Sequence, residues 1–136
     1  MTSTGLTPPD PEQARKRRTH RALTRITERH ATGEDRARWE THSRPMAPLD
    51  ALRRVCDLAA GSAIPDEDRP GVDTEDLMAA LTLLPLARAE FDQLELGLLQ
   101  MAKGRDMTWQ DIAFGLGLGS AQAARQRHDR LTRRTP

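Results

Sequence analysis

Apolar residues in this chain recur at intervals of three and four and nowhere alternate with period two over a useful length. A half-buried strand needs that alternation, so the spacing excludes a sheet and predicts an all-α fold. The aromatic share is 3%, with no Tyr, so the core has to be modest and built from Leu, Ala, Met and Val. No run reaches the roughly 18 to 20 apolar residues of a membrane span.

Caps and breakers place the helices. Residues 1–9 are rich in Thr, Ser, Gly and Pro and read as a disordered tail. "DPEQ" at 10–13 is a helix start, with Asp10 as N-cap, Pro11 at the first helical position and Gln13 reaching back. That helix is expected to run to about Ala31, with Gly33 ending it. Its apolar positions (Ala14, Ala22, Leu23, Ile26) are sparse, so it is expected to bury little and to order on a partner. A short pattern around Trp39 follows, then "SRPMAP" as a break. "PLDALRRVCDLAAG" sets Leu49, Leu52, Val55, Cys56 and Ala59 on one face and stops at Gly61. "SAIPDEDRPG" reads as a linker. Asp73 caps a helix with Leu77, Met78, Leu81 and Leu84 as its stripe. Pro85 opens another, in which Leu86, Phe91, Leu94, Leu98 and Met101 recur and Gly104 closes. The expected organisation is a tail at 1–9, a basic helical region at 10–61, an acidic linker at 62–72 and a C-terminal domain at 73–136.

The net charge of +1 conceals a segregation. Residues 1–54 carry 12 Lys/Arg against 7 Asp/Glu, residues 55–101 carry 2 against 10, and residues 102–136 carry 7 against 3. Basic ends around an acidic middle point to a polyanion or a charged partner. Cys56 is the sole cysteine, which excludes an internal disulfide or a multi-Cys zinc site and suits a reducing cytoplasm. The N-terminus has charges but no apolar run behind them, so it does not read as a signal peptide.

The strongest signal lies near the C-terminus, in "TWQDIAFGLGLGSAQAARQRHDRL" at 108–131. Thr108 caps a short helix, and Ser120 or Gly119 caps the next. Helices this short need tertiary support. The helix at 85–103 is expected to supply it through Phe91, Leu94, Leu98 and Met101, against Trp109, Ile112, Ala113 and Leu116. Ala113 allows a close crossing, and Gly117 supplies the left-handed backbone of a turn. This Ala-x-x-x-Gly-Leu pattern after a Thr cap is a helix-turn-helix signature. Strict counting from Ala113 makes Ala123 the buried position of the last helix. Spacing back from Leu131 favours Ala124, which is preferred. Gln122, Arg125 and Gln126 then face outward, where Gln pairs with adenine and Arg with guanine in a major groove. Arg127, Arg130, Arg133 and Arg134 are expected on phosphates, with Ser120 at the helix N-terminus. Asp129 is unhelpful against DNA unless a neighbouring Arg pairs with it.

Residues 77–131 resemble a group of small actinobacterial helix-turn-helix proteins of Streptomyces type. These carry a Leu-rich segment and an "LTWxxIAxxLGLxSxQAAxQRxxRL"-like motif. The match lies in "TWQDIA", "LGLGSAQAA" and "QRHDRL". The module is also similar to region four of sigma factors and to LuxR-type domains. The resemblance implies a DNA-binding regulator or nucleoid-associated protein. Ala121 departs from it, standing where relatives often carry Arg or another long polar side chain.

Other chemistries find no support. The four histidines lack ligand spacing, "DEDR" and "DTED" lack a calcium-loop pattern, and "GLGLG" has no strand before it and no Lys-Ser/Thr after it. Cys56 is expected as a small core residue. No metal, cofactor, membrane contact or catalytic pairing is expected, and the chain reads as a non-enzyme. The run "RKRRTHR", with Arg15, Lys16, Arg17 and Arg18, has three readings. It is a second phosphate-binding arm, a solvated helix face, or a dock for the acidic middle of a second copy in a homodimer. Two functions follow. One is a protein bound to double-stranded DNA in the cytoplasmic nucleoid. The other is an interaction module docking on RNA polymerase, a sigma factor or another regulator, with residues 66–76 mimicking DNA or gripping a basic patch.

Overall fold

A computed structural model describes Leu6, Pro8 and residues 10–64 and 69–134. It is all-helical: α1 (Pro11–His30), α2 (Gly33–His42), α3 (Pro48–Ala59), α4 (Thr74–Gly104), α5 (Trp109–Leu116) and α6 (Ala121–Arg134). The expected tail at 1–9 lies almost wholly outside the described residues, as does the centre of the expected linker, 65–68. No helix among the described residues is long and apolar enough to cross a membrane.

The chain divides into two compact units, and the division falls between Ala87 and Arg88, inside α4. The expected boundary at 62–72 is thereby corrected. The first half of α4 is a core element of the N-terminal unit and not the start of an independent C-terminal domain. Pro85 does not start a new helix, because α4 runs through it as one 31-residue element. A proline removes one donor and crowds the preceding turn, and α4 carries it between the buried Leu83 and Ala87.

In the N-terminal unit, Ala22, Ile26, Ala31, Met46, Ala51, Val55, Ala79, Ala80 and Leu83 form the core, with Leu23, Leu52 and Val72 against it. Asp10 caps α1 as expected, although its carboxylate takes the Glu12 N–H, not a group on Gln13. α1 ends at His30, and Gly33, at φ 57, opens α2. The expectation that α1 buries little is overturned, since Ile26, Thr27 and His30 are fully enclosed. What fastens it is charge. Asp73 and Asp76 form a reciprocal cap at the start of α4, each carboxylate accepting the other's backbone N–H at 2.7 and 3.2 Å. The Asp76 carboxylate, with no exposed surface, also accepts from Arg25 Nε (2.9 Å) and Arg29 Nε (3.0 Å) and meets His30 Nε2 (2.8 Å). Burial pushes its pKa up. The hydrogen bonds from His30, the Asp73 backbone and Arg29 outweigh that and hold it at about 2. Arg25 and Arg29 reach Asp73 as well.

The stripe expected on this half of α4 is out of phase. Leu77, Met78 and Leu81 are exposed, and Ala79, Ala80, Leu83 and Ala87 are buried instead. Close helix contact favours small side chains, so the alanines go in around Leu83, the one leucine of this half that is fully buried among the described residues. Cys56 and Ala59 are likewise exposed, α3 burying Ala51 and Val55.

Candidate nucleic-acid interface

The C-terminal unit contains the last part of α4 with α5 and α6. Its core is Leu99, Ile112, Ala113, Ala124 and Leu131, with Leu96, Ala102, Trp109 and Leu118 packed against it. Phe91, Leu94, Leu98 and Met101, the residues expected to hold the unit together, are instead between half and two-thirds exposed. The core positions of α4 are Glu95, Leu96, Leu99 and Ala102. Leu116 is also more exposed than expected, and Leu118, past the turn, takes its place.

Local chemistry explains how α5 and α6 are held. The Thr108 hydroxyl accepts the Asp111 N–H and the Asp111 carboxylate accepts the Thr108 N–H, both at 3.0 Å. The Thr108 backbone N–H is the main reason the Asp111 carboxyl lies below its ordinary range. Gly117 ends α5 at φ 71. The Leu118 N–H then reaches back to the Ala113 carbonyl at 2.8 Å while its side chain joins the core, which fixes the direction of the exit. Ser120 Oγ accepts the Ala123 N–H at 3.1 Å and so caps α6. Its own proton remains available to an anion.

α6 docks through Ala124 and Leu131, at 0% and 2% exposure, with Ala123 only half-buried. The phase counted back from Leu131 is the one adopted. Two acidic residues of α4 fasten the flank. Glu95, almost enclosed, makes a bidentate pair with Arg127, with Arg127 Nη2 donating to Glu95 Oε1 at 2.8 Å and Nε donating to Oε2. The bond from Arg127 holds the Glu95 carboxyl below its ordinary range despite burial. Asp92 lies 3.8 Å from Arg134. Arg127, expected on phosphate, is thus paired with Glu95, with its side chain 41% exposed. The Arg134 side chain is 63% exposed and stays accessible.

The outward face brings together Gln122, Gln126, Asp129 and Arg133, which stand four, three and four residues apart, with Arg125 and Arg130 beside them, all exposed. Ala121, Gln122, Arg125, Gln126 and Asp129 line one shallow depression. Arg130 and Arg133 make no ion pair among the described residues. Asp129 is 3.5 Å from His128 Nδ1 and has no arginine partner in the ion pairs of this unit. The Trp109 ring lies beneath one edge of this face. Its centroid is 5.9 Å from the Arg125 guanidinium carbon and 5.0 Å from Lys103 Nζ, and the His128 ring packs on it at 5.4 Å and 59°. The remaining candidates, Arg15, Lys16, Arg17 and Arg18, are exposed on the first turns of α1, in the N-terminal unit. Sequence reasoning missed Asp92 and Glu95. A carboxylate pair three residues apart on an otherwise Leu-rich helix, with arginines seven apart on a later one, was the available signal.

No family model, no curated protein and no solved structure matches the chain.

Proposed function

We propose that this chain is a DNA-binding regulator or nucleoid-associated protein, in which α5 and α6 act as a helix-turn-helix and α6 lies in the major groove of double-stranded DNA. The observation that carries this reading is the outward face of α6. Gln122, Gln126, Arg130 and Arg133 stand exposed there and make no ion pair among the described residues, on a helix whose opposite side is fixed by Ala124, Leu131 and the Glu95–Arg127 pair. A rigid helix with exposed amide and guanidinium groups suits bidentate contacts to purine edges. Gln122, Arg125 and Gln126 are assigned to bases. Arg130, Arg133, Arg134 and the Ser120 hydroxyl are assigned to phosphates, with Arg15, Lys16, Arg17 and Arg18 as a second patch. The chemistry is binding, with no catalytic step and no cofactor.

Fluorescence anisotropy on a duplex at several salt concentrations tests it. Each phosphate contact adds about −0.9 to the slope of log K against log salt. Replacing Arg130 and Arg133 by Ala is expected to flatten the slope by up to about two units on every sequence. Gln122→Ala is expected to cost about 1–3 kcal/mol on the preferred site alone. The α1 patch is tested by neutralising Arg15, Lys16, Arg17 and Arg18 together. Deleting the helix would remove Ile26 and His30 from the core. No binding to any duplex at low salt would refute the reading.

A second reading, docking on RNA polymerase, a sigma factor or another regulator, draws on Phe114, which is 88% exposed on α5. An aromatic ring so placed is an anchor for a protein surface. The acidic segment is a weaker basis for it, because Asp73 and Asp76 are already occupied by Arg25 and Arg29 of the same chain. The same occupancy weakens a homodimer built by the basic run on that segment.

A further inference from the structure

We propose that the bare apolar stripe on the last part of α4, Phe91, Leu94, Leu98 and Met101, is the surface on which a second copy of this chain docks, with the two helices antiparallel. These four side chains are 54%, 58%, 66% and 64% exposed, although the helix around them packs well through Leu96, Leu99 and Ala102. Four large apolar groups on one helical face, left in water, mark an interaction surface.

Two properties of the stripe select a second copy as its occupant. The first is symmetry. A two-fold interface requires that residue i meet residue j while j meets i. The spacings here are three, four and three, so the stripe reads the same in both directions about position 96. Antiparallel pairing then sets Phe91 of one copy against Met101 of the other, and Leu94 against Leu98. The Phe91–Met101 contact joins a ring to a thioether, a favourable pair.

The second property is area. At the exposures above, the four side chains bury roughly 500 Å² per copy, or about 1,000 Å² in all, the lower bound of a specific interface. That size fits a reversible, concentration-dependent dimer and not an obligate one.

Sedimentation velocity on the full chain tests this without DNA, so its outcome is separable from the DNA-binding reading. The wild type is expected to pass from monomer to dimer as concentration rises, within about 1 mM. Leu98→Glu is expected to weaken association at least about tenfold with unchanged helical circular dichroism and melting temperature, since Leu98 is not in the core. A wild type that stays monomeric throughout, or a dimer indifferent to Leu98→Glu, would overturn the proposal. Orientation is read by disulfide trapping in a Cys56→Ser background. A mixture of the Leu94→Cys and Leu98→Cys proteins is expected to cross-link faster than either alone. Faster self-linking of the Leu94→Cys protein would overturn the antiparallel arrangement.

Discussion

His30 Nε2 and Asp76 Oδ2 meet at 2.8 Å with neither side chain exposed, forty-six residues apart in sequence. The contact joins the last turn of α1 to the first turn of α4. It sits where Arg25 and Arg29 deliver two more charge-assisted donors to the same carboxylate. A carboxylate that receives this many donors is stable only while ionised, which makes the N-terminal unit sensitive to acid.

The sign follows from the direction of the shift. Asp76 has a folded pKa of about 2 against an ordinary 3.8. Its contribution is therefore fully present above about pH 4 and is lost as pH falls through 4 toward 2, an amount of about 2 kcal/mol. Urea melts between pH 2 and 6 are expected to show stability rising with pH across that window. Asp76→Asn is expected to remove most of the dependence and to cost about 3 kcal/mol at neutral pH, because Arg25 and Arg29 then face a neutral group. Glu95 shifts the same way and adds to the slope, so an unchanged slope in Asp76→Asn would show that Glu95 dominates.

Arg127 and Arg133 lie six residues apart on α6 and are expected to fail differently. Arg127→Ala leaves the enclosed Glu95 without its partner and should lower the melting temperature, at a cost of about 1–3 kcal/mol. The salt slope of duplex binding should change little. Arg133→Ala should leave the melting temperature alone and flatten the slope. Parallel thermal melts and anisotropy titrations read both. A salt-slope loss in Arg127→Ala equal to that of Arg133→Ala would return Arg127 to the phosphate set.

The phase of the C-terminal core is checked by neighbouring residues. Ile112→Ala and Leu99→Ala, each buried to 4% exposure, are expected to cost about 2–4 kcal/mol through lost burial and the cavity left behind. Leu98→Ala, one position along, should cost little in a dilute monomer. Equal losses at Leu98 and Leu99 would mean that α4 is rotated from the phase described.

Gly117→Ala tests the turn. A methyl group at Gly117 meets nothing within 4 Å, so the only penalty is the positive φ. The expected cost is about 1 kcal/mol, and Gly117→Asn should cost less, since Asn tolerates the left-handed region. Chemical denaturation of the three proteins distinguishes a backbone effect from a steric one.

Local signals in the sequence proved the most legible. Thr108, Gly117 and Ser120 place α5, its turn and α6 because caps and left-handed glycines act within a few residues. Ala124 and Leu131 set the phase of α6 because it has few other apolar residues. On α4 the same logic failed. Apolar residues surround that helix, so periodicity alone cannot choose between Leu98 and Leu99 or between Leu81 and Leu83. The domain boundary failed for a related reason. The prolines and charges at 62–72 lie between α3 and α4, but Arg25 and Arg29 of α1 reach Asp73 and Asp76 beyond them. No short-range pattern announces a bond between residues nearly fifty apart.

The packing around Trp109 makes the molecule its own optical probe. The chain has two tryptophans and no tyrosine, so Trp39→Phe leaves a single indole emitter against a dark background. That emitter is touched by His128 and overhung by Arg125, both on α6. Any ligand that draws the Arg125 guanidinium away from the ring, or displaces the His128 ring packed on it, changes what the excited indole sees. Emission intensity and lifetime then report occupancy of the α6 face directly, with no dye attached to either partner.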